Sequence, residues 1–87
     1  MQVEYSKQAA KFISTQDKNT KQRIKHGIEG LTKTPPKGDI KPLQAYINKT
    51  YRLRIGKLRI IYRYDTGINQ RQILFISDIN FRGDIYK

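Results

Sequence analysis

At 87 residues the chain is long enough for one domain, spanning residues 1–87, with a modest core, and too short to bury the surface fraction that a larger fold reaches. It contains no cysteine, which excludes disulfide staples and thiolate-held zinc and fits a reducing compartment. Eighteen Lys and Arg stand against seven Asp and Glu, an excess of +11 that favours a polyanionic partner such as nucleic acid, although ribosomal and membrane-surface proteins share that charge.

The N-terminus has no cationic stretch followed by an apolar run, and no segment approaches a membrane span, so the expected location is cytoplasmic. Over residues 2–5, Val3 and Tyr5 alternate with polar neighbours, a short strand signal. Ser6 is placed to cap a short helix carrying Ala9, Ala10, Phe12 and Ile13 on its inner side, and Asp17 to cap a longer one. In the longer segment Ile24, Ile28 and Leu31 recur at i, i+4 and i+7, one face of an amphipathic helix. Thr34-Pro35-Pro36-Lys37-Gly38 must end it, because the residue before a proline avoids the α region. Residues 39–49 read as an ordered loop anchored by Ile40, Leu43, Tyr46 and Ile47.

Tyr51-Arg52-Leu53-Arg54-Ile55-Gly56-Lys57-Leu58-Arg59-Ile60-Ile61-Tyr62-Arg63 writes a β-hairpin with one basic face. Apolar and cationic residues alternate with period two on its first strand, and Gly56-Lys57 is the Gly-first pair of a two-residue turn. That turn sets Ile55 opposite Leu58 and Arg54 opposite Arg59, with Arg52 and Arg63 on the arginine side. Like charges directly across a ladder are destabilising, so an anion bridging the guanidinium groups is expected, and a phosphodiester fits. Between residues 49 and 64 six cations occur with no acid, so the charge is concentrated as well as large. Asp65-Thr66-Gly67 marks a turn, and residues 71–79 contain Ile73-Leu74-Phe75-Ile76, apolar on both faces as in an interior strand.

The expected fold class is α+β: an N-terminal strand, a two-helix hairpin, then an antiparallel sheet, in the order β-α-α-β-β-β, with helices on one face and arginines on the other. His26 has no second histidine to work with and reads as a solvated or packing residue. Asp65, Asp78 and Asp84 follow no metal-ligand template, so neither a metal nor a cofactor is expected. Phe81 is either a core aromatic or a base-stacking one, and Tyr46, Tyr51, Tyr62 and Tyr64 read as sheet and core aromatics.

The basic hairpin, the Lys41-Pro42-Leu43 segment and the ending Phe81-Arg82-Gly83-Asp84-Ile85-Tyr86-Lys87 together resemble the RelE/ParE superfamily of toxins from bacterial and archaeal type II toxin–antitoxin pairs. Within it the pairing of the hairpin with Arg82 and Tyr86 is similar to the RelE branch, ribosome-dependent endoribonucleases that cleave mRNA in the A site without a metal. The ParE branch, which poisons DNA gyrase, generally lacks that pairing. The resemblance implies that Arg52 and Arg54 contact the scissile phosphate and the 2′-hydroxyl, and that Arg59 stabilises the transition state. It further implies that Arg82 protonates the 5′-oxygen leaving group and that Tyr86 stacks on the substrate base and orients the nucleophile. Implied partners are a cognate antitoxin, the ribosome and A-site mRNA, with Lys18 and Lys21 expected to serve association. Two positions depart from the pattern: the first hairpin strand carries arginines where well-studied relatives carry lysines, and Phe81 stands where many have histidine. Arginine stays protonated and is a poor general base, and phenylalanine has no proton to exchange, which leaves the general base unassigned unless Tyr86, with a lowered pKa, accepts the proton. The alternatives are a gyrase-directed or catalytically weak toxin fold that acts through its partners, and a small RNA-binding module.

Overall fold

The computed structural model describes residues 1–43 and 49–81. Their elements are β1 (Gln2–Tyr5), α1 (Lys7–Ser14), α2 (Lys18–Leu31), β2 (Asp39–Pro42), β3 (Thr50–Ile55), β4 (Leu58–Thr66) and β5 (Gln72–Phe81). The five strands form one sheet in the order β1-β5-β4-β3-β2. Both helices lie on one face of it, α1 over β5 and β1 and α2 over β3.

The helix boundaries follow local chemistry. The Ser6 hydroxyl accepts from the Ala9 N–H at 3.1 Å and the Asp17 carboxylate from the Thr20 N–H at 2.7 Å, each satisfying a donor that the first turn leaves orphaned. Ala9, Ile24, Ile28 and Leu31 are fully buried, with Phe12 and Ile13 packed at the margin. Ala10, expected on the inner side, is exposed, because α1 offers only a narrow stripe to the sheet. The second helix stops at Leu31, capped by Thr32, before the proline pair is reached.

Strand alternation delivers the other half of the core. Leu53 of β3, Leu58, Ile60 and Tyr62 of β4, and Leu74, Ile76 and Ile79 of β5 are buried against the helices. In β5 the spacing changes from two to three between Ile76 and Ile79 because the β4–β5 register shifts between Ile61 and Tyr62. This bulge returns Ile79 and Phe81 to the helix side. Beyond Tyr5, β1 no longer covers the edge of β5, and α1 takes over. The Ser6 hydroxyl donates to the Ser77 carbonyl at 2.6 Å, and the Gln8 side-chain amide both donates to the Ile79 carbonyl (2.8 Å) and accepts from its N–H (2.9 Å). Those contacts answer an otherwise unpaired strand edge.

Three expectations need correction. The sheet is mixed, since β1 runs parallel to β5 while the remaining pairs are antiparallel. Residues 39–42 form an edge strand on β3 rather than a loop, so four strands follow the helices instead of three. That strand is short, turns only Ile40 toward the core and includes Pro42, a combination confined to sheet edges and weak as a sequence signal. Finally, Asp65 and Thr66 belong to β4, and the reversal starts at Gly67, whose N–H donates to the Arg71 carbonyl at 2.7 Å around a short 3-10 turn over Ile68–Gln70. Leu43 is half-buried, and its N–H donates to the Thr50 carbonyl at 2.8 Å. The expected anchors Tyr46 and Ile47 lie outside the described residues.

Candidate nucleic-acid interface

The hairpin forms in the expected register: Ile55 opposes Leu58, Leu53 opposes Ile60, and Arg54 opposes Arg59. Gly56 takes a φ of 57°, the left-handed conformation that a Gly-first two-residue turn requires and that other residues resist. With Leu53, Ile60 and Tyr62 committed to the core, the period of two places Thr50, Arg52 and Arg54 of β3 and Arg59, Ile61 and Arg63 of β4 on the opposite, helix-free face. Asp39 and Lys41 of β2 extend that face on one side, and Asp78 and Asn80 of β5 on the other.

The guanidinium groups do not stand alone against one another. Arg54 Nε donates to Asp39 Oδ2 at 2.8 Å, and the same oxygen lies 4.0 Å from Arg52 Nη1. The hydrogen bond from Arg54, with the nearby Arg52 and Lys41 charges, holds the Asp39 carboxyl below its ordinary range. An internal carboxylate therefore meets part of the like-charge cost that seemed to require an external anion. Residues 39–42 lack a clear strand signal, which hid Asp39 from the sequence reading, although its register opposite Arg54 would have exposed it.

Burial grades these arginines. The Arg52 side chain is 5% exposed, between Lys41 and Ile61 on the neighbouring strands, whereas that of Arg54 is 38% exposed. An exposed pair such as Arg54–Asp39 adds little to stability, so its value lies in orientation. A buried guanidinium is far more sensitive to a lost counter-charge. Arg59 is half-buried between Arg54 and Asn80. Arg63 is already engaged: its Nε contacts the Asp65 carboxylate at 3.1 Å and its guanidinium sits 4.3 Å above the Phe75 ring.

The structure thus brings Arg52, Arg54 and Arg59 together, while Arg82, Asp84 and Tyr86 lie outside the described residues. Phe81 opposes Leu58 on the helix side and packs against Phe12 with ring centroids 5.4 Å apart, so it belongs to the core margin and not to the arginine face. Tyr51, Tyr62 and Tyr64 form an aromatic cluster, and the Tyr64 hydroxyl donates to the Leu31 carbonyl at 2.8 Å. His26 is exposed on α2 at a groove of about 800 Å³, floored by Leu53, Ile55 and Gly27 and rimmed by Arg23, Lys33 and Arg54. Among the described residues no group of three His, Cys, Asp or Glu could hold a metal ion, and no helix is long and apolar enough to cross a membrane.

Helices on one face of a five-stranded sheet and converging arginines on the other define a small α+β protein with a concentrated basic surface. Residues 3–86 match the family model for the ParE toxin of the parDE type II toxin–antitoxin system. The chain belongs to this family, within the RelE/ParE superfamily that its sequence resembles. Among solved structures, a chain of the RelB–RelE antitoxin–toxin complex from Methanococcus jannaschii superposes with a TM-score of 0.71 at 24% identity. That superposition covers 95% of this chain and 94% of the other, and supports the fold alone. A search of curated proteins returned no match.

Proposed function

We propose that this toxin is a ribosome-dependent endoribonuclease that cleaves mRNA by attack of a 2′-hydroxyl on the adjacent phosphate. The carrying observation is the convergence of Arg52, Arg54 and Arg59 on one helix-free face, at graded burial and with Arg54 held by Asp39. In the proposed step the 2′-oxygen bonds to phosphorus, the bond from phosphorus to the 5′-oxygen breaks, and a 2′,3′-cyclic phosphate forms. The 2′-hydroxyl proton passes to water, or to Tyr86 where a lowered pKa leaves it as phenolate, and Arg82, in the acid role that the family resemblance implies, supplies the proton to the departing 5′-oxygen. Charge on the equatorial oxygens of the phosphorane meets Arg54 and Arg59, and preorganised cations there lower the barrier by several kcal/mol. Arginine is a poor base, so these groups serve as charge and geometry while the ribosome supplies in-line positioning of the mRNA.

The toxin's partner in this reading is a cognate antitoxin that covers the basic face or displaces the C-terminal segment, as the RelB–RelE complex, a fold relative, pairs an antitoxin with a toxin. The family description favours a second reading, because it names ParE, and the ParE branch acts on gyrase. Induced expression followed by mapping of mRNA 5′ ends separates the two. Cuts inside coding regions, in register with the reading frame, support cleavage on the ribosome. Growth arrest with intact mRNA and a damaged chromosome would establish the gyrase reading instead.

A further inference from the structure

Asp39 is an acidic side chain bonded to an arginine of the converging group, and its place is set by the backbone: β2 pairs with β3 so that Asp39 opposes Arg54. Its bond to Arg54 uses Nε–H and neither terminal Nη group. A guanidinium offers five N–H donors in a rigid plane, and fixing Nε fixes the direction of the remaining fork. The same carboxylate oxygen stands 4.0 Å from Arg52, whose buried side chain needs a nearby negative charge. Without Asp39, Arg54 would face Arg59 across the hairpin with no carboxylate on its β2 side, and Arg52, two residues earlier on β3, would lose the same neighbour.

We propose that Asp39 is a positioning residue, which clamps Arg54 through Nε so that its Nη pair is aimed at a phosphate oxygen of the RNA while the same carboxylate steadies Arg52. The proposal rests on the nuclease reading for its consequence in rate, but the clamp itself is a property of the free protein. It also makes the effect of removing Asp39 opposite in sign for binding and for catalysis. Loss of a negative charge from a basic face strengthens sequence-independent attraction to nucleic acid, whereas loss of the clamp releases Arg54 from its productive direction.

The test uses the full chain. In the wild type the Arg54 Nε–H resonance is expected to be protected from solvent exchange, and to stay protected when a short single-stranded oligonucleotide of 2′-deoxyribose, which cannot be cleaved, is added. Asp39→Asn should abolish that protection, bind the oligonucleotide as tightly or more tightly, and cleave mRNA on programmed ribosomes about tenfold or more slowly under single-turnover conditions. Asp39→Glu, which keeps the charge, should restore part of the rate. An Asn variant that cleaves at the wild-type rate or faster overturns the proposal. So does loss of Nε–H protection in the wild type on oligonucleotide binding, since Asp39 would then be a competitor for the phosphate. If the wild-type chain cleaves nothing, the nuclease reading alone fails, and the resonance under oligonucleotide still decides the clamp.

Discussion

Arg54 and Arg59 face each other across the hairpin, yet their surroundings assign them different tests. Arg59→Ala should reduce single-turnover cleavage by about 10²–10³-fold, the loss typical of one preorganised transition-state donor, while leaving ribosome association nearly unchanged. Unchanged cleavage on programmed ribosomes would place the site elsewhere. Arg54→Lys should cost activity despite the retained charge, because an ammonium cannot engage Asp39 with one edge and present a planar fork with the other. Activity close to wild type would mean that Arg54 serves as a point charge. Lys18→Ala and Lys21→Ala, exposed on the first turn of α2, should instead weaken association.

Single residues also set the pH range of the fold. Asp39 and Asp17 are held below the ordinary carboxyl range, Asp39 foremost by the Arg54 hydrogen bond and Asp17 by the Thr20 N–H. Their contribution is present above the ordinary value and is lost as pH falls through the depressed ones, so acid should lower the melting temperature below about pH 4. Tyr62 and Tyr64 titrate above the ordinary tyrosine value of 10.0, chiefly because burial disfavours the phenolate. Their contribution is complete below that value and is lost as pH rises beyond it. Melting temperatures measured from pH 3 to 11 should therefore fall at both ends, and a flat alkaline limb would count against the burial of this cluster.

At the scale of elements, α2 illustrates how packing overrides propensity. Gly30 sits in its last turn, where alanine would be favoured by about 1 kcal/mol on helix propensity alone. A Cβ there would approach the Lys37 carbonyl oxygen to 2.9 Å, and that backbone is tied down because the Lys37 N–H donates to the Gly30 carbonyl at 2.9 Å. Gly30→Ala is thus expected to destabilise by about 1–2 kcal/mol net, the overpacking cost exceeding the propensity gain. Chemical denaturation checks this, and a more stable variant would show that the chain after α2 yields easily. Elements with strong local signals were legible in the sequence: both N-caps, the 24/28/31 stripe and the Gly56 turn. The edge strand at Asp39–Pro42 was not, because four residues with one core contact and a proline carry almost no periodicity. The bulge near Ser77 was equally hidden, since a register shift is a property of two strands at once.

For the whole molecule, a net charge of +11 gives binding to any single-stranded nucleic acid a steep salt dependence. Affinity for a non-specific single-stranded RNA should fall by roughly 10²–10³-fold between 50 and 200 mM salt if about six phosphates are neutralised. An acidic antitoxin segment that folds over the basic face should lose affinity with salt as well, while retaining an apolar contribution that RNA lacks. An antitoxin complex indifferent to ionic strength would show that its contacts avoid this face.

The sequence by itself determined the sorting of the hairpin. Period-two alternation and a glycine-first turn are local rules, and they put Arg52, Arg54, Arg59 and Arg63 on one side whatever the rest of the chain does. It also carried the family, through residues spread from the first strand to the end. Only the tertiary structure decided what those arginines meet. Asp39 lies 15 positions before Arg54, Phe75 lies 12 after Arg63, and Phe81 turns to Phe12 because a bulge shifts its parity. Such contacts depend on which strands become neighbours and in what register. Those choices are made by burial of the shared core and leave no periodic trace in any one segment.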